Sequence, residues 1–363
     1  MEDSLFPTPE DTPFDEVLKA LLKRDEVLDP LYLYRLSDIN QDNLSALLKI
    51  WNDIHVERRR ALMEDLEELT DTNALLSFEP IFRLALKDED EHVRFFAIRA
   101  IEVFDTDDLI PLFLSVLANE KSVDLRAVTA SVLGKYVYRG ELDKIDKEQQ
   151  IEIEDQLLEI LEGDHPLEVQ RRALEAISYS SRDEVKDHIL KAYQSELEEW
   201  LASALFAMGR SYDYENYGDL VIEKLQHTSP KVRLEAVRAC GELVLEDAVP
   251  IILDLLNDLP DIREAAIWAL SQIGGEDAGL AIQGLLDGDV NPEEEELLQQ
   301  AIDRMDFLED GLDMPMFDFD YDEDDDDYLL DDYDYQQDGY DDDYDDDDFD
   351  LDDFGIDDDQ WLE

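Results

Sequence analysis

A repeated pattern of small residues constrains the fold of this 363-residue chain more than any other feature. Six segments begin with an apolar residue and a second residue that is often arginine, and mostly alanines follow three and six positions later. A seventh copy is degenerate. The second residues of these pairs, here called register residues, are Arg94, Arg126, Gln170, Leu201, Arg233, Arg263 and Glu295. The intervals between them are 32, 44, 31, 32, 30 and 32 residues, a period typical of stacked helical repeats.

Each unit contains two amphipathic segments, and the small residues lie on one face of the second segment. Positions three and six residues apart share a helical face, so alanines there let neighbouring helices approach closely. A first apolar segment precedes each register residue, as in Leu109–Leu117 and Ala248–Leu256. Because one helix pair cannot bury its apolar surface alone, the units must stack to form a core. The sequence therefore predicts an all-α fold, an α-solenoid of helical hairpins followed by a disordered acidic tail.

The predicted organisation has three parts. Residues 1–42 form a partly helical N-terminal segment, residues 43–308 form the solenoid, and residues 309–363 form the tail. Within the solenoid, we expect a divergent capping hairpin over 43–70 and about seven hairpin units over 74–308. The one long interval indicates an insertion, which we interpret as a loop near the polar stretch 136–150.

The pattern resembles HEAT repeats over residues 74–308. In that family the first helix often carries a proline, and Pro80, Pro111 and Pro250 lie 13 to 15 residues before register residues. A proline inside a helix removes a hydrogen bond and bends the helix. The resemblance also implies a ladder along the stack, in which an acid in the turn within each hairpin meets an arginine of the second helix. The residues assigned to this ladder are Asp88, Arg94, Glu120, Arg126, Arg233 and Arg263. Gln170 and Leu201 depart from the arginine pattern.

The charge of the chain narrows the classes of partner. The formal net charge is −68, from 98 acidic and 30 basic residues. Binding of nucleic acid needs clustered Lys and Arg to neutralise phosphates, and docking on anionic lipid needs the same, so neither is expected. One cysteine and the absence of a signal peptide or membrane span from the sequence predict a cytoplasmic protein.

The tail combines acidic and aromatic residues. Residues 317–363 hold 26 acidic residues among 47 and no basic one, which leaves a net charge of −42 for residues 1–316. Aromatic rings among these acids can contact Lys or Arg of a basic partner. The candidate partner-binding residues are Tyr328, Tyr333, Tyr335, Tyr340, Tyr344, Phe349, Phe354 and Trp361. The alternative is a solubilising polyanion without a specific partner, with weak, non-specific binding of Ca²⁺ or Mg²⁺ at most.

No catalytic, cofactor or metal residues are nominated. Deoxyhypusine hydroxylase, which has HEAT-like repeats, binds two irons through His-Glu pairs, and none of the five histidines here is followed by Glu. Bilin lyases share the repeat type, but nothing in this sequence specifically supports chromophore handling. Cys240 lies next to Ala239 on a small, apolar helix face, where a free thiol usually serves packing.

We therefore expect a non-enzymatic scaffold or adaptor that binds a protein partner of unknown identity through the solenoid, with the tail as an accessory segment. One alternative is an acidic chaperone, or nucleic-acid mimic, for basic client proteins. Another is an enzyme of the HEAT-like lyase or hydroxylase kind. A further alternative is intramolecular, in which the tail folds back on Arg58–Arg60, the densest basic cluster of the chain.

Overall fold

The computed structural model describes residues 12–24, 26–104, 106–288 and 290–312, apart from the side chains of 214, 293 and 308–312. Every regular element in these ranges is a helix, and no strand occurs among them. The α-helices are α1 (Phe14–Leu21), α2 (Pro30–Tyr34), α3 (Gln41–Ile50), α4 (Val56–Thr72), α5 (Glu79–Ala85), α6 (Glu91–Ala100), α7 (Ile110–Asn119), α8 (Val123–Glu141), α9 (Lys147–Glu162), α10 (Leu167–Ile177), α11 (Asp183–Tyr193), α12 (Glu198–Arg210), α13 (Tyr214–Lys224), α14 (Pro230–Glu242), α15 (Val249–Leu255), α16 (Pro260–Ile273), α17 (Glu276–Leu286) and α18 (Pro292–Leu312).

The helices from α5 onward pair into consecutive hairpins. We call the first helix of each pair helix A and the second helix B, so that α5 is a helix A and α6 a helix B. Each helix B packs against its own helix A and against the helix B of the next hairpin, and α4 precedes the row by packing on α6. The core lies between and within these two layers. The predicted all-α solenoid is confirmed for the described part of the chain.

Small residues allow the B helices to pack closely. The alanines three positions after the register residues are fully buried in five units, at Ala97, Ala173, Ala204, Ala236 and Ala266. Glycines one turn further along approach the backbone of the next helix B. A β-carbon added to Gly134, Gly209 or Gly241 would lie 3.1, 3.0 or 2.9 Å from the Cα of an alanine on that helix. The spacing of the stack therefore depends on the absence of side chains at these positions.

The inserted loop predicted near 136–150 is wrong, because most of this stretch is helical. Helix α8 continues to Glu141 and α9 begins at Lys147, so the extra residues lengthen two helices instead of forming a loop. Tyr136 is buried, and its hydroxyl lies 2.8 Å from Thr106 Oγ1. Two of the charged residues that suggested a loop bind neighbours of the helix, since Arg139 pairs with Asp107 and Glu141 accepts from Gln150.

The prolines also have a different role from the one predicted. Pro80, Pro111 and Pro250 lie in the first turn of α5, α7 and α15, where a backbone N–H has no intrahelical acceptor. A proline at these positions costs no hydrogen bond and favours helix initiation. The expected bend inside helix A is therefore absent at these residues.

The ends of the described range differ in packing. Helix α1 buries Phe14, Val17 and Leu21 and packs on α3, and α3 packs on α5. At the other end, α18 continues to Leu312, beyond the boundary predicted at residue 308.

Within the described part of residues 12–312, no helix has the length and apolar character that crossing a membrane demands.

Candidate protein-interaction site

Arginines at the register positions connect successive hairpins. The Arg94 Nη1 donates to the carbonyl oxygen of Asp88 in its own hairpin at 2.7 Å, and its Nη2 donates to Glu120 Oε2 of the next hairpin at 3.1 Å. Arg233 repeats this arrangement: it donates to the carbonyl oxygen of His227 at 2.8 Å and to both carboxylate oxygens of Asp258 at 2.8 and 2.9 Å. Each arginine thus fixes its own turn and the one that follows.

The remaining register residues follow the pattern partly. Arg263 donates to the carbonyl oxygen of Leu256 and, at 2.8 Å, to Glu294 Oε1. Arg126 donates to the carbonyl oxygen of Leu117 at 2.8 Å, and its Nη2 lies 3.1 Å from His165 Nδ1. Gln170 retains only the contact within its hairpin, donating to the carbonyl oxygen of Gly163 at 3.0 Å.

The contacts run in a direction that the spacing did not specify. Asp88, six residues before Arg94, accepts from that arginine only through its backbone carbonyl oxygen. Its carboxylate instead binds Arg59 of α4, with Arg59 Nε 2.8 Å from Asp88 Oδ2. The sequence interpretation missed Arg59, His165, Asp258 and Glu294 as partners. Asp258 and His165 lie five residues before the register residues Arg263 and Gln170, one position closer than Asp88 is to Arg94, so a tolerance of one residue would have found them.

The arginine cluster of α4 is already engaged by the body of the protein. Arg58 Nη2 donates to the carbonyl oxygen of Lys23 at 2.9 Å, Arg59 pairs with Asp88, and Arg60 Nε donates to Asp90 Oδ1 at 2.8 Å. These partners occupy the cations that the tail would bind in the intramolecular alternative. The cluster is therefore a structural feature of the first hairpins.

Replacement of Asp90 by asparagine is expected to lower stability at pH 7 by less than about 1 kcal/mol, because asparagine can still cap α6 but loses the ion pair with Arg60. Asp90 caps α6 by accepting from the amides of His92 and Val93. Hydrogen bonds from Arg60, followed by those amides, lower the pKa of Asp90 to about 2. Since the folded pKa lies below the unfolded one, this contribution is present above about pH 4 and is lost as pH falls toward 2.

Urea unfolding of wild type and Asp90→Asn from pH 7 to pH 3 checks this expectation. The difference between the two proteins should narrow below pH 4. Asp187→Asn, which removes a charge from the exposed surface of α11, is the matched control. A difference between wild type and Asp90→Asn that stays constant down to pH 3 would contradict the role assigned to the carboxylate.

A groove of about 550 Å³ crosses the B helices α6, α8 and α10. Its lining comes from these helices and the residues at their ends, and no described helix A contributes. It is formed by Glu91, His92, Phe95, Phe96, Arg99, Glu102, Ser122, Asp124, Leu125, Ala127, Val128, Ser131, Val132, Glu168 and Arg172. The groove thus opens on the face of the B helices that the neighbouring helices leave uncovered.

The floor of the groove is apolar. Phe95 and Phe96 are half-buried, and their rings meet edge to face with centroids 5.8 Å apart. The guanidinium carbon of Arg99 lies 5.4 and 5.3 Å from the two ring centroids, so the arginine stacks beside both rings. Val128 of α8 is also half-buried and continues the apolar surface. Aromatic rings held in place beside an arginine are typical of contact points in protein interfaces.

The charges around the groove are predominantly negative. Both arginines of the lining are paired: Arg99 with Glu67 of α4, and Arg172 with Glu168 at 3.0 Å and Glu175 at 2.8 Å. Glu91, Glu102 and Asp124 form no ion pair with any residue that the structure describes. Burial raises the pKa of Glu102, and Lys135 opposes this effect. The groove therefore combines an apolar floor with three carboxylates that form no ion pair within the described ranges.

The histidines and the cysteine are placed in structural roles or at the surface. His55 caps α4, His165 contacts Arg126, and His227 Nδ1 accepts from the amide of Ser229. No group of three or more His, Cys, Asp or Glu side chains in the described ranges has the geometry to hold a metal ion. Cys240 is fully buried, and burial raises the pKa of its thiol to about 12. A thiol in this state is a poor nucleophile.

The eight aromatic residues proposed in the tail, from Tyr328 to Trp361, lie outside the described residues. So does Asp289, the acid six residues before the last register residue, Glu295.

Comparison with known proteins identifies the repeat type. A sequence model described as HEAT repeats matches residues 218–303. A search of curated proteins finds no match. Among solved structures, the chain is similar to the CpcE–CpcF complex of phycocyanin lyase from Nostoc sp. PCC7120, with 18% identity and a TM-score of 0.41 over 62% of this chain and 94% of that chain.

Two further solved structures are similar to the chain. YibA of E. coli has 16% identity and a TM-score of 0.42 over 78% of this chain and 99% of its own. Yeast importin-β (Kap95p) has 12% identity and a TM-score of 0.44 over 82% of this chain, which spans 47% of that chain. Identities this low say nothing about shared ligands. Residues 218–303 therefore match HEAT repeats, and the stacked A and B helices give the described part of the chain an α-solenoid fold.

Proposed function

We propose that the chain is a non-enzymatic scaffold that binds a segment of a partner protein in the groove across α6, α8 and α10. The observation that supports this most is the pair of half-buried rings, Phe95 and Phe96, held at the groove floor beside Arg99. Apolar surface of this kind is stabilised when a partner covers it. We place this function in the cytoplasm, in keeping with the single cysteine.

The ladder supports this proposal because it holds the groove in shape. Arg94 connects the turn before α6 to the turn before α8, and Arg126 connects the latter to the turn before α10. The three helices that line the groove are therefore tied together before any partner arrives. A preformed site loses less conformational entropy on binding than a flexible one.

We include the tail in the proposal as an accessory contact. Its 26 acidic residues and its aromatic rings would engage a partner already held by the groove. A tethered second contact raises the effective concentration of the first without changing the groove. In the full-length chain, replacement of the eight tail aromatics by serine should weaken capture of the partner without abolishing it.

Filling the groove should abolish binding of the partner. Ser131 is exposed on α8 and lines the groove, so Ser131→Trp adds an indole ring there with little cost to folding. Ser115 is exposed on α7, a helix A, and Ser115→Trp is the matched control. Affinity capture with tagged full-length proteins, read by quantitative mass spectrometry, should yield a partner retained by wild type and Ser115→Trp.

That partner should be depleted about tenfold or more with Ser131→Trp, the loss expected when about 1.4 kcal/mol or more of binding energy is removed. Circular dichroism and thermal unfolding establish that both variants are folded. Equal retention of every captured protein by the two variants would overturn the assignment of the groove.

A further inference from the structure

We propose that the segment bound in this groove is cationic, with Lys or Arg side chains three residues apart and an apolar side chain between them that packs over Phe95 and Phe96. This inference rests on the scaffold function proposed above and specifies the class of partner. It follows from the charges of the lining, the positions of the carboxylates and the spacing of the B helices.

The charges of the groove lining favour a cationic ligand. The lining holds four carboxylates, Glu91, Glu102, Asp124 and Glu168, and two arginines. Both arginines have carboxylate partners, and these partners include Glu67 and Glu175, which lie outside the lining. An anionic ligand would find no arginine in the lining that is not already paired with a carboxylate. An incoming cation would meet Glu91, Glu102 and Asp124, for which the described chain supplies no ion pair.

Three of the lining carboxylates lie at the N-termini of the B helices. Glu91 is the first residue of α6, Asp124 is the second residue of α8, and Glu168 is the second residue of α10. They form a row along one edge of the groove, one per helix B, beside the apolar floor. The partial positive charge of a helix N-terminus, about half a unit, reduces but does not cancel each negative charge. Of the three, Glu168 already pairs with Arg172.

The spacing of this row specifies the spacing of cations in the partner. Packed helices lie about 8–10 Å apart, so successive carboxylates are separated by about that distance. A polyproline-type extended segment has three residues per turn and rises about 3.1 Å per residue, so residues three apart lie on one edge about 9 Å apart. Basic residues at this interval can face Glu91 and Asp124 together while the residue between them contacts the rings.

Charge also decides between a partner and the chain itself. The tail carries no basic residue, and residues 1–316 have a net charge of −42. The tail would place no cation beside the row, and a second copy of the chain, although it has Lys and Arg side chains, would add a large net negative charge. A separate basic protein is therefore the favoured occupant.

Fluorescence anisotropy with synthetic peptides tests the proposal on the full-length protein at 0.15 M salt. The probe is a labelled nonapeptide made of three Lys-Leu-Pro triplets. Three comparison peptides replace lysine by glutamate, replace leucine by serine, or keep the composition but place the lysines next to one another. We expect binding of the first peptide, weaker binding of the serine and rearranged peptides, and none of the glutamate peptide.

Variants of the protein locate the binding. Ser131→Lys places a positive charge in the groove, which repels the lysines of the peptide, and should lower the affinity for the Lys-Leu-Pro peptide about tenfold. Ser131→Asp should raise this affinity. Glu91→Gln combined with Asp124→Asn should weaken it about fivefold, the effect of losing two exposed ion pairs. Ser115→Lys makes the same charge change on α7 and should alter affinity less than twofold, since charges beyond about 8 Å are screened at this salt concentration.

Equal weakening by Ser131→Lys and Ser115→Lys would show that the peptide binds elsewhere on this acidic chain, and equal affinity for the rearranged peptide would overturn the spacing. Failure of this inference is distinguishable from failure of the scaffold function. If Ser131→Trp abolishes capture of a partner but the Lys-Leu-Pro peptide does not compete for it, the groove binds a partner and the cationic class is wrong.

Discussion

Replacement of Asp88 by alanine is expected to lower the free energy of unfolding by about 3–5 kcal/mol, the cost of leaving a buried charge without its partner. The Asp88 side chain is 1% exposed and that of Arg59 is 11% exposed. Asp88 Oδ2 accepts from Trp51 Nε1 at 2.6 Å, and Oδ1 accepts from Arg59 Nη2 at 3.2 Å and from the amide of Asp90 at 2.9 Å. Alanine would remove an acceptor from all three donors, and Arg59 would keep only the carbonyl oxygens of Trp51 and Ile54.

Chemical denaturation of Asp88→Ala, Arg59→Leu and the double variant measures this effect. Because the double variant leaves neither charge alone, it should be less destabilised than the sum of the single variants by more than about 1 kcal/mol. The exposed pair Lys23–Glu26 provides the control, since its removal should leave the free energy of unfolding almost unchanged. Additive losses, or a loss below about 1 kcal/mol for Asp88→Ala, would contradict the assigned coupling.

The sequence predicted the existence of this ladder but not its direction. Spacing along one repeat places Asp88 near Arg94, and the structure shows that Arg94 does bind the backbone carbonyl of Asp88. The carboxylate partner is Arg59, which lies 29 residues away on α4. Periodicity reports which residues occupy equivalent positions, whereas the contacts between successive units depend on how the helices stack. Helix α4 precedes the row of hairpins, where the repeat pattern is weakest.

Charge density was a poor guide to local structure near residue 140. Arg139 seemed to belong to a loop, but it pairs with both carboxylate oxygens of Asp107. Gln150 is buried, and its amide donates to Glu141 at 3.0 Å and to Glu154 at 2.9 Å. Polar residues that satisfy one another can extend a helix, and the apolar face formed by residues such as Leu133 and Val137 was the better signal.

The sequence predicted binding by the solenoid surface but not the residues of the groove. An interaction through the solenoid surface was expected, but the residues nominated for binding were in the tail. Phe95 and Phe96 directly follow a register residue, and no other unit has two aromatic residues at these positions. That departure from the repeat was a usable signal. The pairing of Arg99 with Glu67, which leaves the groove negative, depends on the packing of α4 against α6 and has no counterpart in the repeat pattern.

Replacement of Gly241 by alanine is expected to destabilise the protein by about 1–2 kcal/mol, although alanine favours helices by about 1 kcal/mol over glycine. An added β-carbon would lie 2.6 Å from Trp268 Cζ3 and 2.9 Å from Ala269 Cα. The tryptophan ring can shift, but the Cα belongs to the backbone of α16. Helices α14 and α16 must therefore separate, and the loss of packing along their contact outweighs the gain in helix propensity.

Gly284 supplies a matched control with the opposite expected sign. It lies inside α17, is exposed, and has nothing within 4 Å of an added β-carbon. Gly284→Ala should therefore stabilise the protein by about 0.5–1 kcal/mol, the gain in helix propensity alone. The two substitutions should shift the midpoints of thermal and urea unfolding in opposite directions relative to wild type. If Gly241→Ala also stabilised the protein, a β-carbon would fit between α14 and α16 without separating them. The spacing of the B helices would then not depend on glycine at this position.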